Sequence, residues 1–293
     1  MIGCRNNSEQ QSDTYFQRTG VSFTTGNEAL QELFDSAETK VEKNIIQYND
    51  EYRVMVEGAV YPFVFLETQP MPFDYPFKIA LDSTTPGLTD PRDGNTYRIV
   101  KIGEQVWMAE NLRFLPGVAG PGTGSKTTPY FYVYGYDGIN VDDAKATANY
   151  NIYGVLYNWP AAMNEATSSD ANPSGVQGVC PSGWHLPSDA EWTQLTDYLG
   201  TRVAGGKLKA SGTTLWDPPN SGANNETGFS AFPGGYRNAD GTFVSMGEDA
   251  DFWSATEYNS SHAWFRNIHF NDNDVGRNKY PRQTGFAVRC VKD

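Results

Sequence analysis

The sequence predicts an α+β fold, a module of short antiparallel strands with two helices, preceded by a small α/β amino-terminal region. Three observations predict it. Glycine (29) and proline (17) are frequent enough to break the chain into short elements. Aromatic residues are abundant (7 Trp, 17 Tyr, 16 Phe) and fall in short strand-like runs bounded by turn residues. Hydrophobic content of 39% over 293 residues is enough to build a real core.

Taken in order, residues 1–25 are polar and without pattern, and read as a flexible tether. Residues 26–82 form a small helix-plus-strand region. Its helix is predicted from Leu30, Leu33, Phe34, Ala37, Val41 and Ile45, spaced to share one face, with capping side chains between Thr25 and Asn27. Strands are predicted at 52–56 and 60–66, whereas the prolines between Gln69 and Pro76 exclude a central strand. Residues 83–88 are the linker, and 89–293 form the main module.

In the module, 96–102 and 105–108 form a hairpin around Gly103-Glu104. Asn158 caps a short helix holding Trp159 and Met163, and Pro160 is tolerated there because it lies in the first turn. Ser188-Asp189-Ala190-Glu191 is a capping box. It opens a helix whose apolar stripe is Trp192, Leu195 and Leu199 and which Gly200 can end. Thereafter strands are expected at 232–237, 242–244, 251–256, 263–270 and 285–291.

The net charge of −13 and pI near 4.7 lack the basic footprint that nucleic-acid binding requires. No apolar run is long enough for a transmembrane span, and mean hydropathy is −0.55. Of three cysteines, Cys180 and Cys290 form a natural pair in an oxidising compartment; the alternative is two buried thiols. Cys4, in Met-Ile-Gly-Cys before a polar run, resembles the end of a bacterial lipoprotein signal and is the lipidation candidate, although the charged and apolar regions of such a signal are missing. The alternative is an exposed cysteine on a polar terminus.

Six ordered stretches resemble the Fibrobacter succinogenes major paralogous domain family: Thr89–Tyr97, Trp107–Leu112, Tyr157-Asn158-Trp159, Cys180–Ser188 (Cys-Pro-Ser-Gly-Trp-His-Leu-Pro-Ser), Phe252–Thr256 and Gly285–Cys290. The resemblance implies a variant of the C-type-lectin-like fold, found in secreted proteins, lipoproteins and pilus-tip or adhesin-like proteins of gut and rumen bacteria. It also implies a disulfide between Cys180 and Cys290, with the helix from Ser188 beside it. The location implied is secreted or on the outer cell surface, with a lipid anchor if Cys4 is modified.

Chemistry is sparse. Gly120–Thr127 superficially resembles a phosphate loop, but Ser125 stands before Lys126 and the following segment is strand-like, so a surface loop is expected. His185, His262 and His269 have no metal-ligand spacing. Calcium is weighed at Asp272, Asp274, Glu248 and Asp249, because acidic and amide loops can supply its oxygen ligands; solvated turns are the alternative. No hydrolase elbow or zinc-protease motif is present. Formylglycine-generating enzymes, of related fold, need a second cysteine near the last one, and Cys290 has no such neighbour. No catalytic residue is assigned.

Trp216, Tyr258 and the loop Asn271-Asp272-Asn273-Asp274 are the ligand-binding candidates. Trp107, Trp159, Trp184, Trp192 and Trp253 are expected in the core. The function expected is a non-enzymatic adhesin-type module that engages a glycan or a host or surface protein through loops between about 205 and 280. Two alternatives are an accessory part or remnant of a carbohydrate-active enzyme, and a structural surface or pilus-associated subunit.

Overall fold

The computed structural model of the chain describes residues 87–293 continuously and, before them, six strand segments within residues 2–81. The chain divides into two compact units, Met1–Thr85 and Pro86–Asp293.

In the first unit, β1 (Ile2–Asn6) pairs with β2 (Val21–Thr25), so these parts of the expected tether are strands. Val21, Phe23, Thr24 and Thr25 have the β-branched or aromatic character that favours extended backbone. Cys4 lies in β1 opposite Phe23. β3 (Ile46–Tyr48), β4 (Glu51–Val56), β5 (Ala59–Leu66) and β6 (Lys78–Leu81) form an antiparallel meander that includes both strands predicted here. The helix predicted from Leu30 to Ile45 lies outside the described residues.

The second unit opens with β7 (Leu88–Thr89), β8 (Thr96–Tyr97), β9 (Ile99–Ile102) and β10 (Gln105–Met108). β9 and β10 are the predicted hairpin, with Gln105 opposite Ile102. After β11 (Phe131–Tyr132) come two short helices, α1 (Val141–Lys145) and α2 (Ala148–Tyr153), which the sequence reading did not expect. They are too short to show an apolar period; their signal is local, the caps Asn140 and Thr147. β12 (Leu156–Tyr157) leads into α3 (Trp159–Met163), where Asn158 accepts from the Ala161 N–H as predicted.

β13 (Trp184–His185) precedes the main helix, α4 (Asp189–Leu199). Both halves of the Ser188–Glu191 capping box form, at 3.1 and 2.9 Å. A further short helix, α5 (Ala204–Leu208), follows. The last strands are β14 (Gly234–Arg237), β15 (Phe243–Met246), β16 (Asp249–Asn259), β17 (His262–His269), β18 (Gly276–Pro281) and β19 (Val291–Lys292).

Two sheets organise the unit, β13-β19-β10-β9 and β16-β17-β18. The strand expected over 285–291 is instead a chain of single bridges, from Gly285 to Arg237, Phe286 to Tyr157 and Ala287 to Phe252, before β19 begins. This segment therefore stitches separate elements together rather than belonging to one sheet.

β17 separates two cores by strand alternation. Ala263 and Phe265 join Trp253, Phe286 and Tyr157 in one cluster, and Ile268 joins Trp107, Trp192, Phe229 and Phe252 in the other. All five tryptophans expected in the core are buried. Trp107 and Trp192 meet at 4.6 Å between centroids, and Trp192 stacks on Phe252 at 5.6 Å. Such pairs contribute about 0.5–1.5 kcal/mol beyond burial.

Cys180 and Cys290 are joined in a disulfide in the first cluster. Among the described residues, no helix is long and apolar enough to cross a membrane.

Candidate functional site

Alternation along β17 also decides what faces solvent. Trp264 stands on the side of the sheet opposite to Ala263 and Phe265 and stays half-buried. The register places Lys279 opposite Trp264 and Arg277 opposite Arg266, so both β18 cations share that side. From β16, Tyr258 meets Trp264 edge-on at 5.2 Å and is 44% exposed. Lys279 Nζ lies 3.8 Å from the Tyr258 ring centroid, and the Arg277 guanidinium lies 3.8 Å from that of Trp264. A hydrogen bond from Lys279, and then its charge, hold the Tyr258 phenol below its ordinary pKa.

One carboxylate anchors the inner end of this face. Asp189, buried at the start of α4, accepts from Arg266 at 2.8 Å and lies 2.7 Å from Arg277. The directly contacting groups are thus three cations and one carboxylate, on a chain whose net charge is −13. Tyr258 was legible in the sequence as a candidate. Trp264, Arg277 and Lys279 were not singled out, although the pattern Ala263-Trp264-Phe265 places an aromatic on each side of a strand, and the i, i+2 spacing of Arg277 and Lys279 puts both on one side.

The other candidates sit elsewhere. Trp216 was expected to stack on a ligand from an exposed loop, and this is corrected. It is 1% exposed, donates from Nε1 to the Ala231 carbonyl at 3.0 Å, and packs in the second core cluster. The prolines after it suggested a loop, and the loop closes over the indole.

Nor do the calcium candidates form a cage. Lys209, fully buried, donates from Nζ to the carbonyls of His269 (3.1 Å) and Asp272 (2.8 Å), so an ammonium already occupies the inner side of the 271–274 loop. Asn273 packs on Gly222, where any side chain would collide with it, and Asn271 Oδ1 accepts from His269 Nδ1 at 2.6 Å. The backbone carbonyl of Asp274 lies against Gly205, which has no room for a Cβ. Asp249 is bound to Asn267 at 3.1 Å, and Glu248 contributes backbone bonds to Ser245 and Phe270. Among the described residues, no three His, Cys, Asp or Glu side chains gather where they could hold a metal ion.

Burial pushes the Lys209 ammonium down to about 8, against the opposing charge of Asp272. Replacing Lys209 by alanine removes the donor from two carbonyls and the contact over Trp216, at 5.5 Å. We expect a loss of about 2–3 kcal/mol, read as a lower denaturant midpoint, with faster amide exchange confined first to residues 269–274.

Gly120–Thr127 is the reverse of a phosphate loop. Carbonyls of Pro121 and Thr123 point inward and accept from Arg237, so the loop surrounds a cation rather than an anion.

His185 is a packed core histidine, as expected. Nε2 meets Glu191 Oε1 and Nδ1 meets Asp293 Oδ1, each at 2.7 Å. Burial works to lower its pKa, but the hydrogen bonds and charges of Glu191 and Asp293 outweigh it and raise the value above the ordinary one. A raised folded-state pKa stabilises most below the unfolded value, about 6.5, and that contribution is lost as pH rises through the folded value. The melting temperature is therefore expected to fall as pH rises above about 6.5. His185→Gln should flatten that part of the profile, which thermal melts across the pH range would check.

Residues 100–292 match the Fibrobacter succinogenes major domain family, a span of well over half the chain that contains all of both sheets but Ile99, the disulfide and the exposed aromatic face. No curated protein and no solved structure matches the chain. The chain belongs to the Fibrobacter succinogenes major domain family.

Proposed function

We propose that the 86–293 unit is a non-enzymatic binding module of adhesin type, displayed outside the cell on a C-type-lectin-like scaffold. The observation that carries this reading is the Tyr258–Trp264 pair. Two large aromatic rings meet on one side of a hydrogen-bonded sheet, flanked by cations; Trp264 is set by its register opposite Lys279, and Tyr258 stands at a register irregularity of β16. Aromatic rings presented rigidly are what recognition surfaces use, because they offer contact area at low entropic cost.

The scaffold reading is supported by the way β19 returns between β10 and β13 and by the disulfide beside it. The disulfide also favours an oxidising compartment. Relative to the sequence expectation, the binding surface moves from the loops around Trp216 and Asn271–Asp274 to the strands carrying Tyr258 and Trp264.

An array of glycans and extracellular-matrix proteins probed with the full chain tests the reading. Binding to at least one class is expected, reduced at least tenfold by Tyr258→Ala and by Trp264→Ala in variants that melt like the parent. Absence of binding across the array, or binding indifferent to both substitutions, would overturn it.

A further inference from the structure

We propose that the Tyr258–Trp264–Arg277–Lys279 face binds a carboxylated saccharide, a polymer of uronic-acid type; this rests on the binding-module reading and specifies its ligand. The first ground is charge. Asp189 is the carboxylate in direct contact with the arginines, and it is shared between Arg266 and Arg277. Lys279 is paired with a phenol, which leaves the contacting groups two positive charges in excess. Asp170 and Asp197 are exposed and act on these arginines only from further out, making no ion pair with them. An excess of fixed positive charge on an otherwise acidic molecule selects for an anion.

The second ground is preorganisation. Long cationic side chains lose rotamer freedom when they bind, and that loss weakens exposed ion pairs. Here the two rings already hold Lys279 and Arg277 at 3.8 Å, so less freedom remains to be lost when a carboxylate arrives. The third ground is shape. Extended peptides are read through sheet-edge hydrogen bonds and pockets for alternate side chains. These groups stand on the broad side of the sheet, where a ribbon of sugar rings can lie with its C–H faces near Tyr258 and Trp264 and its carboxylates toward Arg277 and Lys279.

The test titrates the full chain, by calorimetry and tryptophan fluorescence, with oligogalacturonate, oligomannuronate and oligoguluronate. Each is compared with its methyl-esterified form of equal length, which keeps the sugar and removes the charge, and with oligoglutamate. At least one acid form should bind at least tenfold tighter than its ester and weaken as salt rises. Lys279→Glu, at an exposed position, should abolish that preference without changing the melting temperature, and Lys279→Arg should keep it.

Equal binding of acid and ester would overturn the carboxylate assignment. If that equal binding is lost in Tyr258→Ala, the binding-module reading survives it. Oligoglutamate binding as tightly as the uronides would overturn the choice of a saccharide. No binding by any uronide, while the array shows a Tyr258-dependent neutral ligand, would overturn this inference alone.

Discussion

Replacing Cys180 and Cys290 together by alanine is expected to destabilise the 86–293 unit by about 4–5 kcal/mol. The bond spans 110 positions in sequence. In the chain-entropy account, removing a link of that length returns to the unfolded ensemble nearly all the freedom that a closed loop denies it. Both cysteines are fully buried in the first core cluster, so the alanines also leave a small cavity, and no solvent-exposed group compensates. For a unit of this size, that corresponds to a fall in melting temperature of roughly 10–20 °C. Parallel melts with and without reductant check the origin of the effect. The parent should move toward the variant when reduced, and the variant should be indifferent to reductant. A variant that melts within a few degrees of the oxidised parent would show that the link constrains little.

The second large effect is expected next door, at Arg289. Its guanidinium is fully buried and, among the described residues, hydrogen-bonds to no carboxylate. It donates from Nε to Asn111 Oδ1 (2.7 Å), from one terminal nitrogen to the carbonyls of Met108 (3.1 Å) and Phe229 (2.6 Å), and from the other to Ser230 (2.8 Å). It also lies 4.4 Å from the Phe229 ring centroid. Burial pushes its pKa down to about 9; the Glu110 charge opposes this and the Arg98 charge adds to it. Truncation to alanine leaves four buried acceptors without their donor, each worth about 1–3 kcal/mol, offset by relief from burying a charge. We expect a net loss of about 3–5 kcal/mol, measured by denaturant unfolding. Arg289→Lys should recover only a minor part, since an ammonium cannot reproduce the planar fork that reaches four acceptors in different directions. Because Arg289 adjoins Cys290, the combined variant should lose less than the two separate losses added together.

These two residues show how much of the fold was legible in the sequence. Cysteine counting and the motif around Cys180 and Cys290 both pointed to the bond that forms. The capping box at Ser188, the Asn158 cap and the hairpin at Gly103 are local signals, written within a few residues, and each is found where predicted. The strand expected at 285–291 failed for the opposite reason. Its residues are apolar and β-branched enough to read as one strand, but each pairs with a different element, and no local pattern encodes that. Arg289, a charged residue in an apolar run, gave no sign that four distant carbonyls would converge on it.

The candidate site divides in the same way. Tyr258 could be chosen from its polar neighbours, and it is exposed. Trp216 could not be placed from its neighbours, because the loop that should have presented it folds inward over the indole. The acidic loop at 271–274 was read by its side chains, while its position is set by backbone carbonyls that turn toward Lys209, sixty or more residues away.

By itself, then, the sequence determined the class of fold, the family, the disulfide pair and the helix caps, because these depend on composition, ordered motifs or contacts between near neighbours. Only the tertiary structure decided which aromatics meet solvent and which cations gather beside them. The Trp264–Arg277–Lys279 part of this face depends on the register of β17 against β18, and a shift of β17 by one residue would turn Trp264 to the opposite side, away from both cations. Register is fixed by burying Ala263, Phe265 and Ile268 in their two clusters, a requirement of the whole core rather than of any single strand.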